Sequence, residues 1–296
     1  MQPRRYGPFP YVPMPDRPKW RWPNGARLAV WVIPNLEFFG LDETVPGDSN
    51  ERIARNVAKI PSVYSWGWRD YGNRVAVWRM IDVMEKYGIR GTAALNAEIC
   101  DQHPQIIDAG VSLKWEFMGH GWTNAIRLNE MPPEEEQGTI KRVFDRIQQA
   151  TGRRPTGWLG SGLQETWNTL DFLIDEGCKY VADWVNDDQP YRMDVGGKQI
   201  FHIPYSWEIN DVIQLFFHKH TMDDFEAMAK RQFDVLYEEG AESARVMAIC
   251  LHPYAIGVPH RIRSLDEIFR HIASREGVWF ATGQEIIDAY SSQVKS

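Results

Sequence analysis

The sequence predicts an α/β barrel, on three observations. Short apolar runs alternate along the 296-residue chain with amphipathic helical stretches. Five of those runs end on polar groups suited to hydrolytic chemistry. No repeat, low-complexity tract or Ser/Gly linker divides the alternation. Strands that alternate with helices line up parallel and bring their C-terminal ends to one mouth, where residues distant in sequence face a common pocket.

Residues 1–25 are rich in proline and aromatics, which disfavours regular structure and predicts an irregular arm draped over the barrel or a neighbour. The barrel domain is expected over 26–296. ARLAVWVIP (26–34) reads as a buried strand ending in Asn35 and Glu37. A long polar loop follows, and its Pro46, Gly47 and Asp48 mark a candidate lid. Val75, Val77, Trp78, Ile81 and Met84 form a helical stripe over Arg74–Tyr87 that Gly88 closes. GTAALN is the next strand and IIDAG closes a short helix. KWEFMG is a strand running into His120 and Asn124. EEEQGTIKRVFDRIQQATG is a helix with acids in its first turn and Gly152 at its end. TGWLGS, KYVADW and QIFHIPY are strands around a helix at 166–176; the first two lead to Ser161 and to Asp183 and Trp184. MDDFEAMAKRQFDVLYEEG is amphipathic with a glycine stop. ARVMAICLHP, ending in His252, a helix at 262–274, VWFATG and a last helix from Gln284 complete the pattern.

With 43% hydrophobic and 25% charged residues, the chain has the composition of an ordinary globular protein with a sizeable core. A net charge of -7 without a basic patch argues against a nucleic-acid partner. Cys100, Cys178 and Cys250 are odd in number and widely spaced, which fits buried thiols in a reducing compartment. No secretory leader and no membrane span are read in the chain. The expectation is a cytoplasmic protein with a small soluble substrate, no membrane partner, and a homo-oligomeric state in which the aromatic arm clasps a neighbour.

Several segments carry a resemblance. GHGWTN, TGRRPTGWLGSG, ADW and LHP, taken in order, resemble the polysaccharide deacetylase superfamily over roughly residues 26–291. DYGNRVAVWR, WVNDDQPY, IPYSWEIND, FDVLYEEG and VWFATGQEI look like its allantoinase-like and cyclic-imide-hydrolase-like branch. The resemblance implies a distorted (β/α)7 TIM-like barrel in a single domain. In that family a divalent cation is held by an aspartate and two histidines, beside a second aspartate that acts as base. Here Glu37 matches the base position, Phe38 stands at the metal-ligand aspartate, and His120 is retained. Asn124 replaces the second histidine, and Leu159 replaces the arginine that orients the base. A metal hydrolase normally has three protein ligands and one open position. No protein metal site and no firm cofactor are therefore expected, beyond a weak zinc site through His120 and Glu37.

The residues suggest a hydrolase of carbon–nitrogen bonds other than peptide bonds, opening a small cyclic amide, ureide or imide. An amide carbonyl needs an activated water, a stabilised oxyanion and a proton for the leaving nitrogen. Glu37, Phe38 and Phe39 adjoin, so desolvation is expected to raise the Glu37 carboxyl toward neutrality and make it the general base. His120 would hold the water or the oxyanion, and His252 would protonate the departing nitrogen. Asn35, Asn124, Trp122, Asp183, Trp184 and Asp188 are the expected substrate-binding residues. The rival functions are a metal-dependent N-acetyl-sugar deacetylase and a barrel that binds ligand without catalysis. Plainer readings stand beside these. Thr123–Asn124 would also cap a helix, Trp122 and Trp184 would also pack as core aromatics, and Asp187–Asp188 would also form a turn. Ser161 in GSG reads as a turn, and His218 and His220 as surface histidines. Arg69, Asp70 and Arg74 either line the mouth or pin the loop to the following helix.

Overall fold

The computed structural model describes residues 2–45 and 60–293; Pro46, Gly47 and Asp48 of the expected lid lie outside them. Among the described residues nine strands form one curled sheet: β1 (Leu28–Leu36), β2 (Thr92–Leu95), β3 (Glu116–Gly119), β4 (Gly157–Trp158), β5 (Tyr180–Val181), β6 (Tyr191–Val195), β7 (Lys198–His202), β8 (Arg245–Leu251) and β9 (Val278–Phe280). Their order is β6-β7-β5-β4-β3-β2-β1-β8, with β9 beside the start of β1. Every pairing is parallel except the β6–β7 hairpin. A parallel bridge between Asn210 and Cys250 carries the chain after β7 toward β8. The fold is the distorted (β/α)7 barrel.

β1 is buried at all nine positions because both faces of the sheet are covered. Its alternation therefore shows in what each side chain touches. Leu28, Val30 and Val32 join the layer under the outer helices. Ala29, Trp31 and Ile33 fill the barrel interior with Met118, Leu159, Tyr180, Ala248 and Cys250. Side chains in a strand alternate faces with a period of two. The inward series 29, 31, 33 continues to Asn35 and Glu37, the series 248, 250 to His252, and Met118 to His120. Strand parity thus delivers three polar groups to the top of the interior.

The helices mostly follow the sequence expectation. The acidic start and glycine stop predicted for one of them bound Pro133–Thr151, which Gly152 closes at φ 75°. The stripe over Arg74–Tyr87 belongs to a longer helical run beginning at Val63 and passing through a π-helical turn at Gly72–Ala76. The β6–β7 hairpin was not anticipated. It turns at Gly196 and Gly197, both at positive φ, as a two-residue turn requires.

Residues 2–25 hold only two short 3-10 turns. Trp22 is buried at the start of β8, where its indole N–H donates to the Arg245 carbonyl at 2.7 Å. Arg17 grips both oxygens of Asp187 at 2.6 and 2.7 Å. A cavity of about 660 Å3 opens beneath this arm, lined by Phe9, Arg17, Trp20, Tyr191 and Tyr290. No described helix is long and apolar enough to cross a membrane.

Candidate active site

Glu37, His120 and His252 converge at the C-terminal end of the strands, all three nearly excluded from solvent. Glu37 Oε1 lies 3.6 Å from His120 Nε2 and 3.5 Å from His252 Nε2. Both separations exceed a direct N–H···O bond and suit a bridging water or substrate atom. The far edge of each imidazole is pinned. His120 Nδ1 donates to the Leu159 carbonyl at 2.7 Å, and His252 Nδ1 donates to Asp211 Oδ1 at 2.7 Å. A ring whose Nδ1 carries the bonded hydrogen turns Nε2 toward the cavity.

Three contributors were not singled out from sequence. Asp211 is fully buried and also accepts the His252 backbone N–H at 2.8 Å. Tyr254 donates its hydroxyl to Glu37 Oε2 at 3.1 Å. Asn73 donates to the Glu37 carbonyl at 2.9 Å and fixes the turn after β1. Each sits in or beside a segment that carried the resemblance: IPYSWEIND ends in Asp211, DYGNRVAVWR contains Asn73, and Tyr254 follows LHP.

The electrostatics correct one expectation. Burial by itself pushes the Glu37 carboxyl up, as the adjacent phenylalanines suggested. Cationic His252 leads the causes that outweigh it, and Glu37 titrates well below the ordinary carboxylate range. Burial likewise opposes charge on His252, but Glu37 and Asp211 overcome it and lift the imidazole to about 10. At neutral pH the site therefore holds a carboxylate facing an imidazolium. Burial, then the Glu37 charge, raises Tyr254, which keeps its hydroxyl a donor. Asp211 is raised by burial against the pull of His252.

The expected substrate-binding residues divide. Asn124 borders the site: its backbone N–H donates to the Phe38 carbonyl at 2.8 Å, and its buried Oδ1 has no hydrogen-bond partner. No helix starts there, so the capping alternative fails; a 3-10 turn follows only at Leu128–Glu130. Asp183 is buried and accepts the Gly160 N–H at 2.6 Å. Burial pushes it up to about 6.

The others are committed elsewhere. Asn35 spends its amide hydrogens on the Ile33 and Leu251 carbonyls, both at 3.3 Å, tying β1 to β8. Trp122 donates to Glu98 and lies under the Arg142 guanidinium, which belongs to the outer helix Pro133–Thr151. Trp184 donates to Glu165 and packs edge-on against Phe9 of the arm. Asp188 is exposed, and its carbonyl accepts from Val246 near the start of β8, whereas His252 follows the end of that strand. The loop carrying Asp188 descends past the barrel wall, which removes it from the mouth.

The remaining candidates have structural partners. Ser161 donates to the His120 carbonyl at 2.8 Å. His220 is tied to Gln214 and stacks on His218. Arg69 covers Phe39 and Trp68, and Asp70 lies 3.8 Å from Arg74 and 3.9 Å from His103.

Comparison with known proteins places this geometry. The polysaccharide deacetylase family model matches residues 68–181. A Schizosaccharomyces pombe protein assigned by name to the polysaccharide deacetylases is 29% identical, with 92% of each chain covered. The crystal structure of PuuE allantoinase superposes with a TM-score of 0.85 at 28% identity, covering 93% of this chain and 94% of that one. A probable polysaccharide deacetylase from Pseudomonas aeruginosa PAO1 also gives 0.85, at 27% identity and 94% and 95% coverage. These likenesses bear out the resemblance to the polysaccharide deacetylase superfamily.

The superfamily's metal does not fit the residues present. Of the three ligand positions, Phe38 offers no donor atom and Asn124 only a neutral amide oxygen. His120 alone keeps a ligating nitrogen. His252, the other nearby imidazole, already pairs with the Asp211 and Glu37 carboxylates. Among the described residues no group of three or more His, Cys, Asp or Glu side chains is disposed to hold a metal ion.

Proposed function

We propose that this protein hydrolyses carbon–nitrogen bonds other than peptide bonds, opening a small cyclic amide, ureide or imide. One observation carries the reading: a buried carboxylate flanked at 3.5–3.6 Å by two imidazoles whose far nitrogens are both pinned. The likeness to PuuE allantoinase supports the ring-opening class.

Water in the gap between Glu37 Oε1 and His120 Nε2 is oriented by both acceptors. Its oxygen attacks the ring carbonyl carbon while Glu37 takes one proton. The His252 Nε2–H faces the developing oxyanion and then protonates the ring nitrogen as the carbon–nitrogen bond breaks. Glu37, 3.5 Å from His252, returns its proton to the imidazole and completes the cycle. Tyr254 and Asn73 hold Glu37 in place throughout. Asn124 Oδ1, buried without a partner, is placed to accept a ring N–H.

The test is a substrate panel of hydantoins, succinimide-type imides, allantoin and N-acetylglucosamines, assayed with and without added zinc. Turnover of a ring substrate without added metal supports the reading. Turnover confined to acetylated sugars with metal present would replace it with metal-dependent deacetylation. A clean preparation that binds ring compounds without opening them would make the barrel a binding protein.

A further inference from the structure

One peptide unit links Asp183 to His120. The Leu159 carbonyl accepts from His120 Nδ1 at 2.7 Å, and the N–H of the next residue, Gly160, donates to Asp183 Oδ1 at 2.6 Å. These two groups belong to the same amide plane. In a trans peptide they point in opposite directions, so Asp183 and His120 sit on either side of one rigid unit. All the participants are buried. We propose that Asp183 is a positioning residue, which acts through the Leu159–Gly160 peptide to fix the orientation and tautomer of His120.

The physical basis is polarisation. A carboxylate oxygen accepting from the amide N–H draws the peptide dipole into line and makes the opposite carbonyl a stronger acceptor. That carbonyl then holds the hydrogen on Nδ1 and leaves the Nε2 lone pair facing Glu37. Glycine at 160 permits the approach. A Cβ there would lie 2.8 Å from the Gln164 carbonyl oxygen and 3.3–3.4 Å from the Asp183 carboxylate oxygens. The Asp183–peptide contact thus occupies the space a side chain at 160 would need. Leu159 supplies only its backbone to this link and turns its side chain into the barrel interior. Glu165 stands beside Asp183; burial and the Asp183 charge raise it well above the ordinary range.

The inference rests on the proposed reaction for its kinetic consequence alone; the tautomer of His120 is measurable without any substrate. Nitrogen-15 NMR of histidine-labelled wild-type protein should show His120 with a protonated Nδ1 and an unprotonated Nε2, and the Gly160 amide proton should lie far downfield. In Asp183→Ala the Gly160 resonance should move upfield and the His120 pattern should become a tautomeric mixture. With a ring substrate, kcat should fall by roughly 10- to 100-fold, the range for loss of a group that orients a reacting residue, with KM nearly constant. Asp183→Asn retains an acceptor oxygen and should restore the wild-type His120 pattern and most of kcat. If Asp183→Ala does not fold, the wild-type Gly160 shift and the Asp183→Asn spectrum decide the matter. An unshifted wild-type Gly160 amide, or an unchanged His120 pattern in Asp183→Ala, overturns the proposal. So does a rate loss that follows only the folded fraction. Absence of turnover on every ring compound would remove the proposed reaction and leave the spectroscopic result to judge the link.

Discussion

Replacing Glu37 by glutamine keeps the shape of the side chain and removes its charge and basicity, so two consequences can be worked from the structure. The first concerns His252. Its rise from 6.5 to about 10 corresponds to roughly 5 kcal/mol of net preference for the cation, set by Glu37 and Asp211 against the cost of burial. The Glu37 charge is the largest single cause that raises His252. Without it His252 should titrate well below 10. The second concerns turnover. Loss of a positioned general base should lower kcat by about 100-fold or more, equivalent to about 2.7 kcal/mol of barrier. Ring opening is followed by the loss of ring absorbance, and His252 by nitrogen-15 titration of the same preparation. A variant with kcat within about threefold of wild type would remove Glu37 from the mechanism. A His252 titration still near 10 would mean that Asp211 alone sustains the cation.

Further outcomes follow from the same site and from the arm. The base must be ionised and the acid protonated, so kcat/KM should be level across neutral pH and fall above about 10 as His252 deprotonates; His252→Gln should abolish that alkaline limb, and an unchanged limb would assign it to another group. Stability obeys a different window. Glu37, depressed below its unfolded 4.5, stabilises above that pH and loses the contribution as pH falls through its folded value. His252, raised above 6.5, stabilises fully below that pH and loses the contribution as pH rises toward 10. Denaturant titrations should therefore show the pair's full contribution between 4.5 and 6.5 and a decline on both sides. Because the metal-ligand positions hold Phe38 and Asn124, dialysis against a chelator should change kcat by less than about twofold, whereas a metal-bound hydroxide mechanism would lose nearly all activity. Trp22→Ala should cost about 3–5 kcal/mol by emptying a buried site and orphaning the Arg245 carbonyl. A melt should show that loss while kcat per folded molecule stays constant, since Trp22 lies at the strand-start end.

What the sequence made legible was whatever a single segment encodes. The apolar run 26–34, the strand ends at His120 and His252 and the glycine-stopped helices are local patterns, and they led to the barrel. Face periodicity would have carried the reading further. Counting by twos from Trp31 reaches Glu37, and from Ala248 reaches His252, which places both inside. What stayed hidden depends on partners far away in the chain. The Glu37 carboxyl has two phenylalanines beside it in sequence, but in space it faces two imidazoles, and the cationic His252 leads the reversal of its titration. Asp211 was invisible for the same reason. A carboxylate after Asn210 reads as a turn residue until β8 brings His252 against it. Trp122 and Trp184 border the same segments, and their indole N–H groups are bonded to Glu98 and Glu165.

The lost ligands at Phe38 and Asn124 bear on which carbonyls this site can open. A divalent cation polarises an unactivated amide by placing two charges beside the oxyanion. Here the corresponding charge is single: the His252 imidazolium, held by Asp211 and Glu37. An imidazolium hydrogen bond in a buried site stabilises an oxyanion, and each donor of that kind is worth about 3–4 kcal/mol. That suffices more readily for a carbonyl whose leaving group is already a stabilised nitrogen anion, as in an imide or ureide ring, than for an acetamide on a sugar. In the proposed reaction the same cation supplies the leaving group's proton, a task a metal ion does not perform. Glu37 is in turn a weak base, because the cation that depresses it is the one the reaction needs. Under the proposed function the compromise would favour activated rings, for which proton removal from water need not run far ahead of carbon–nitrogen cleavage. Rate constants across a series of imides of rising nitrogen acidity should therefore increase steeply. A flat dependence would show that leaving-group expulsion is not what the imidazolium assists.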